Sequence, residues 1–276
     1  MPKNAAIIAF AVTTFILPVF GIMVGNPTSE TPYNKFGTGV EFDYEKWKIR
    51  YEGPDYKLNS RRVLIKPSLG IFRFTDIYGY FGMADIDMPS HSTAQEDFNG
   101  KQELAFGLGV RMHYAVFYPS IGCRWTARYP LRWYVTASWL TTRSSDEVQF
   151  GGGLLHFVDS YRYQNFDIGF YGSWRFGRTK PYIGVHWTYI TGRKYRKSYS
   201  EDSGEPYARL SGFFNDPGQY PKPVIGLDID IGKGYVLGLE TSYWGKSETS
   251  IGIGLSQLYA PPRDEDELEQ AIEKPE

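Results

Sequence analysis

Cysteine is almost missing from this chain of 276 residues, with Cys123 the only one. A lone thiol excludes an intramolecular disulfide framework and any multi-cysteine metal site. Its context, "SIGC", lies far from the amino terminus, so a buried or lipid-facing thiol is expected. Histidine is scarce as well: His91, His113, His156 and His186 are the whole supply. Net charge is only −1, from 30 basic and 31 acidic residues, which gives no bulk electrostatic case for a nucleic-acid partner. Beyond the amino terminus there is no long apolar run, and a mean hydropathy of −0.39 excludes a polytopic helical membrane protein. It does not exclude a membrane β-barrel, because half of each barrel strand faces a wet interior. No phosphate-cradling glycine loop and no zinc-ligand spacing is present, so neither a cofactor nor a metal is expected.

What is abundant points to strands. Aromatic residues make up 17% of the chain, with 22 tyrosines and 30 glycines, a composition suited to sheets and turns rather than helical bundles. The amino terminus, "MPKNAAIIAFAVTTFILPVFG", has basic Lys3, an apolar run from Ala5 to Phe20, and small Gly21. That pattern predicts a secretory signal peptide over 1–21, followed by a periplasmic lead-in over 22–35. The carboxyl end, "APPRDEDELEQAIEKPE", predicts an acidic solvated extension over 260–276.

Between them, alternation at a period of two recurs. In "RRVLIKPSLGI", Val63, Ile65, Leu69 and Ile71 oppose Arg62, Leu64, Lys66 and Ser68. In "ELAFGLGVRMHYAV", Leu104, Phe106, Leu108, Val110, Met112 and Tyr114 oppose Glu103, Arg111 and His113. "PVIGLDIDIG" sets Ile225, Leu227, Ile229 and Ile231 against Val224, Gly226, Asp228 and Asp230. Similar segments begin near 36, 77, 131, 166, 182, 235 and 250, giving about ten strands of a length suited to crossing a bilayer at a tilt. Counts of eight or twelve remain open. The connections alternate in length: 52–60, 88–101, 142–162 and 193–221 are long and polar, whereas 72–76, 175–180 and 232–234 are short. Tyr and Trp gather near strand ends, as membrane girdles do. These features predict an all-β, closed, antiparallel, up-and-down transmembrane barrel over 36–259, with isoleucines outward and aspartates inward.

The export signal, the dyad-repeat strands and the last strand, "IGIGLSQLY", resemble the bacterial outer-membrane β-barrel superfamily, small members of about ten strands. The resemblance covers 36–259 and identifies no subfamily. It implies an integral outer-membrane location, with long loops extracellular and short turns and tail periplasmic. In that superfamily the terminal strand is read by the barrel-assembly machinery, and here Ile251, Ile253, Leu255 and Tyr259 supply its pattern. Most members stop at that aromatic, so the tail after Tyr259 is a departure. Outer-membrane lipid and lipopolysaccharide are the other expected partners, and a monomer is expected.

On a barrel wall the charges facing inward are Glu41, Asp43, Arg62, Lys66, Arg111, His113, Asp167, His186, Asp228, Asp230 and Glu240. If acid and base meet across a narrow lumen they plug it. If water separates them they form a charge-selective path for small solutes. Ten strands lie nearer the filled limit, which favours plugging and a structural or surface-interaction role. No enzyme is expected. A hydrolase alternative needs a nucleophile beside His113 or His186, or omptin-like acidic and His–Asp pairs at the rim of the external loops, for which His156 with Asp159 is the nearest candidate; Thr188 beside His186 lacks the rest of a lipase signature. A basic loop patch of Arg193, Lys194, Arg196 and Lys197 is the candidate contact for lipopolysaccharide phosphates.

Overall fold

A computed structural model describes residues 30–51, 55–89, 97–116, 131–150, 155–199, 206–215, 221–244 and 248–258. The expected signal segment, Cys123, His91, Tyr259 and the acidic tail lie outside them. The chain runs through β1 (Phe36–Tyr51), β2 (Asp55–Phe72), β3 (Thr75–Ala84), β4 (Asp87–Met88), β5 (Phe98–Asn99), β6 (Glu103–Val116), β7 (Leu131–Phe150), β8 (Leu155–Trp174), β9 (Thr179–Tyr199), β10 (Pro206–Asn215), β11 (Lys222–Gly232), β12 (Tyr235–Trp244) and β13 (Glu248–Leu258).

Ten of these close into one antiparallel ring in the order β1-β2-β3-β6-β7-β8-β9-β11-β12-β13, with β13 returning to β1 from Lys46–Thr249 to Gly37–Leu258. Closure leaves no unpaired edge in the apolar zone, the condition for a sheet to stand in lipid. The outer face carries the apolar set. Ile225 is 61% exposed and Leu108 66%, while Asp228 and Arg111, on the opposite faces of the same strands, are almost fully buried. An apolar exterior around a polar interior is the inverse of a soluble protein and marks a transmembrane barrel. The hairpin between β11 and β12 turns on Gly232, Lys233 and Gly234, all at positive φ (90°, 56° and 78°), where glycine at two of three positions removes the steric penalty.

The strands are longer than the sequence pattern predicts. β7, β8 and β9 have 20, 20 and 21 residues, so segments expected as loops over 142–162 and 193–221 are mostly sheet. Their connections shrink to 151–154 and 200–205, and the expected loop 52–60 shrinks to 52–54. These extensions stand above the apolar zone, where the outer face is largely polar and the inner face mixes polar groups with buried Leu58, Tyr161 and Phe214, so no apolar outer stripe announces them. There β10 pairs with the upper part of β9 and touches β1 at Arg50–Asn215, passing over the ends of β11, β12 and β13. On the other side β4 pairs with β2, and the β5 region bonds to β7 through Lys101 N to Ser145 O at 2.9 Å and Asn99 N to Asp146 at 2.7 Å. The ten-stranded ring is therefore topped by a collar of eight segments: β1, β2, β4, β5, β7, β8, β9 and β10. Eight is the number at which side chains fill a barrel interior.

Candidate functional site

The inward-facing charges of the sequence expectation meet in the barrel interior, and among the described residues that interior is filled at three levels. In the collar, Trp47, Ile49, Leu58, Ile86, Met88, Phe98, Tyr161, Tyr163, Ile190 and Phe214 form a buried apolar cluster drawn from opposite walls. Phe98 meets Tyr161 edge-on at 4.6 Å between ring centroids. The Tyr163 hydroxyl is satisfied by Ser60 at 3.0 Å. The alternation pattern does not flag this cluster as a unit, because Met88 and Phe98, expected in the long connection 88–101, stand on the short strands β4 and β5, and Phe214, expected in a loop, stands on β10.

Below it lies the charged layer. Lys66 Nζ is 3.1 Å from Glu41 and sits over the Tyr78 ring at 4.6 Å. Arg62 pairs with Glu45 and stacks over Trp47 at 5.0 Å. Lys222 pairs with Glu248 at 3.0 Å, and Tyr182 donates to Glu240 at 2.7 Å. Gly226 makes room for that tyrosine: a Cβ there would lie 2.0 Å from the Tyr182 ring. Acids concentrate on one arc. Registers run Asp228–Gly238–Gly254–Glu41 and Glu240–Gly252–Asp43–Arg62, so carboxylates flank a strand whose inner face carries only Ser250, Gly252, Gly254 and Ser256 beyond Glu248. Within this arc Asp43 Oδ2 and Glu240 Oε1 have no hydrogen-bond partner among the described residues. Asp167 accepts from Thr188 at 2.6 Å, which engages the hydroxyl that stood two places from His186. His186 itself is buried on the inner face. Among the described residues no group of three His, Cys, Asp or Glu is placed to hold a metal ion.

The third level stands at the short-turn end, and no sequence pattern announces it. The lead-in enters the mouth of the barrel. Arg132 Nη1 donates to both oxygens of Glu30 at 3.1 Å, Lys180 Nζ reaches it at 3.2 Å, His113 Nδ1 is 3.2 Å away, and the Tyr134 hydroxyl donates to it. Burial opposes the charge on Glu30, but Lys180 and Arg132, then His113 and Tyr134, outweigh it and hold the carboxyl well below the usual carboxylate range. Beside it Thr31 N donates to Asp76 at 2.8 Å, the Thr31 and Ser68 hydroxyls bond at 2.6 Å, and Asp76 is gripped by Arg111. Gly70 permits this crossing, since a Cβ there would fall 2.1 Å from Pro32 O.

Several expected residues lie elsewhere than anticipated. Asp230 is at the edge of the mouth, where its carboxylate accepts from Gly232 N at 2.8 Å, outside the charged layer. Arg193, Lys194, Arg196 and Lys197 stand on β9, not in a loop, and alternate between faces. Lys194 and Arg196 turn inward onto buried Asp159, at 2.9 Å and through two 2.6 Å bonds. Arg193 and Lys197 are exposed outside. His156 and Asp159 also share a strand, β8, three residues apart and hence on opposite faces, so they form no catalytic pair.

No protein-family model matches this chain, and no curated protein matches it. Similar solved structures include the translocator domain of the autotransporter NalP from Neisseria meningitidis, with 12% identity, 92% of this chain and 95% of that one covered, and a TM-score of 0.46. The outer membrane protease OmpT from Escherichia coli is similar with 11% identity, coverage of 83% and 98%, and a TM-score of 0.45. The attachment invasion locus protein Ail of Yersinia pestis follows with 10% identity, coverage of 80% and 96%, and a TM-score of 0.28.

Proposed function

We propose that this chain is an integral barrel of the bacterial outer membrane that acts as a closed structural element, meeting partners at its surface, passing no solutes and catalysing no reaction. The observation that carries this is the threefold filling of the lumen: the collar cluster, the ion-paired layer, and Glu30 clamped in the mouth. A conducting pore needs continuous water between its charged walls, and the paired side chains here occupy that space. The barrel-assembly machinery is the expected partner of β13, whose Leu255 is exposed on the outer face.

Single-channel recording of the refolded mature chain in planar bilayers, at two salt concentrations, tests this. Silence from a heat-modifiable, folded barrel is the expected outcome. Stable steps with a cation or anion preference would overturn the closed reading and make the acidic arc a filter.

A further inference from the structure

The outward faces of β7, β8 and β9 form a ladder of rows whose chemistry changes with height. Ala137, Ile168 and Trp187 lie side by side in register. Above them come Trp139, Phe166 and Tyr189, an aromatic row suited to the edge of the hydrocarbon. Next are Thr141, Gln164 and Thr191, neutral and polar. The row above consists of Arg143, Arg162 and Arg193, all exposed. Rows two residues apart are separated by about 7 Å along a strand, so the arginines stand roughly at headgroup height.

Three cations in consecutive cross-strand register are an arrangement that sheets avoid, because like charges directly opposite repel. Among the described residues only part of the charge is balanced: Arg143 reaches Glu103 at 3.4 Å and bonds Ser160 at 3.2 Å. Arg193 is held over the Phe213 ring at 4.3 Å, which fixes the guanidinium at the surface. Arginine forks match phosphate oxygens bidentately.

We propose that the Arg143–Arg162–Arg193 row binds the phosphate groups of an outer-leaflet glycolipid, whose acyl chains lie along the apolar rows beneath. This rests on the membrane reading above and gives the surface one named occupant. It also moves the contact from the expected basic loop patch, of which only Arg193 takes part, to a row across three strands.

The test titrates the detergent-purified full chain with diphosphorylated lipid A by native mass spectrometry. Dephosphorylated lipid A of the same acyl composition and inorganic phosphate form the other arms. The intact lipid is expected to bind, with dephosphorylation or Arg162→Ser weakening it roughly tenfold or more and Arg162→Lys restoring part of it. Arg209→Ser, outside the row, leaves binding unchanged. Equal binding of dephosphorylated lipid overturns the proposal, as does an unchanged Arg162→Ser/Arg193→Ser variant. Inorganic phosphate competing at equimolar concentration would overturn the glycolipid assignment. A variant that misfolds is bypassed by the lipid comparison on the unaltered chain. Failure of the chain to insert into bilayers at all would instead defeat the membrane reading.

Discussion

Arg132 donates from one nitrogen to both carboxylate oxygens of Glu30, each at 3.1 Å, across a separation of 102 residues. The contact joins the lead-in to the start of β7 and closes the short-turn mouth of the barrel. Removing the carboxylate leaves Arg132 and Lys180 without it and frees residues 30–33 to leave. Glu30→Ala should expose Thr31, which is 2% accessible in the closed mouth. In a Cys123→Ser, Thr31→Cys background, thiol labelling should accelerate roughly tenfold on adding Glu30→Ala, since charge-assisted bonds contribute about 1.5–3 kcal/mol. Equal labelling rates would show that the latch does not hold the segment.

The same contact has a pH signature. The folded carboxyl titrates below its unfolded value, so its stabilisation is complete above the ordinary carboxylate pKa of about 4.3 and is lost as pH falls toward the lower folded value. The charged and titratable groups facing it are Lys180, Arg132, His113 and Tyr134. The stability difference between the parent and Glu30→Gln, from urea unfolding in micelles, should be level from pH 8 to about 5 and shrink below about 4. A difference that grows on acidification would contradict the assigned direction.

Gly70 and Gly254 both face inward, yet they should respond differently to a methyl group. At Gly70 the added Cβ meets backbone, 2.1 Å from Pro32 O, whereas at Gly254 the nearest atom is Glu41 Cγ at an ordinary 3.5 Å. Gly70→Ala should therefore displace the lead-in and reproduce the Glu30→Ala labelling, losing about 1–3 kcal/mol. Gly254→Ala should be tolerated within about 0.5 kcal/mol. Identical behaviour of the two variants would mean that the lead-in does not pack on β2.

The ring was legible because lipid imposes a strict alternation. Ile225 against Asp228 and Leu108 against Arg111 are each placed by period two alone, and the phase chosen from sequence puts Leu104, Phe106, Leu108, Met112, Tyr114, Ile225 and Ile231 on the exposed face. The collar escaped the same logic. Around Ser144, Ser160 and Lys194 the outer face is polar and the inner face mixes charges with tyrosines such as Tyr161, so strand and loop look alike in composition. The clamp on Glu30 was invisible for another reason: its partners come from β6, β7 and β9, and no local pattern encodes a contact between elements so far apart.

Asp159 anchors that collar. Its side chain is 1% exposed and holds Arg196 through both oxygens and Lys194 through one. Asp159→Ala leaves two half-buried cations facing each other and should destabilise the region by about 3 kcal/mol. Limited trypsin digestion should then cut the upper parts of β8 and β9 while the ten-stranded ring stays intact. His156→Ala, on the opposite face, should leave the digestion pattern unchanged. Resistance of Asp159→Ala to trypsin would remove the clamp from the account.

The acidic arc makes the opposite prediction for a neighbouring carboxylate. Asp43 stands between Glu41 and Glu45 on one face and across Gly252 from Glu240, and one of its oxygens has no partner among the described residues. A buried carboxylate surrounded by like charges is destabilising, so an amide of the same shape relieves repulsion and can donate to a neighbour. Asp43→Asn should match or exceed the parent in unfolding midpoint, by up to about 1 kcal/mol. Arg62→Leu should do the reverse and lose about 3 kcal/mol or more, because Glu45 would be left in a buried site without its arginine. If Asp43→Asn were instead as damaging as Arg62→Leu, the Asp43 charge would be a required member of the network, and the crowding of carboxylates on this wall would need a bound cation to explain it.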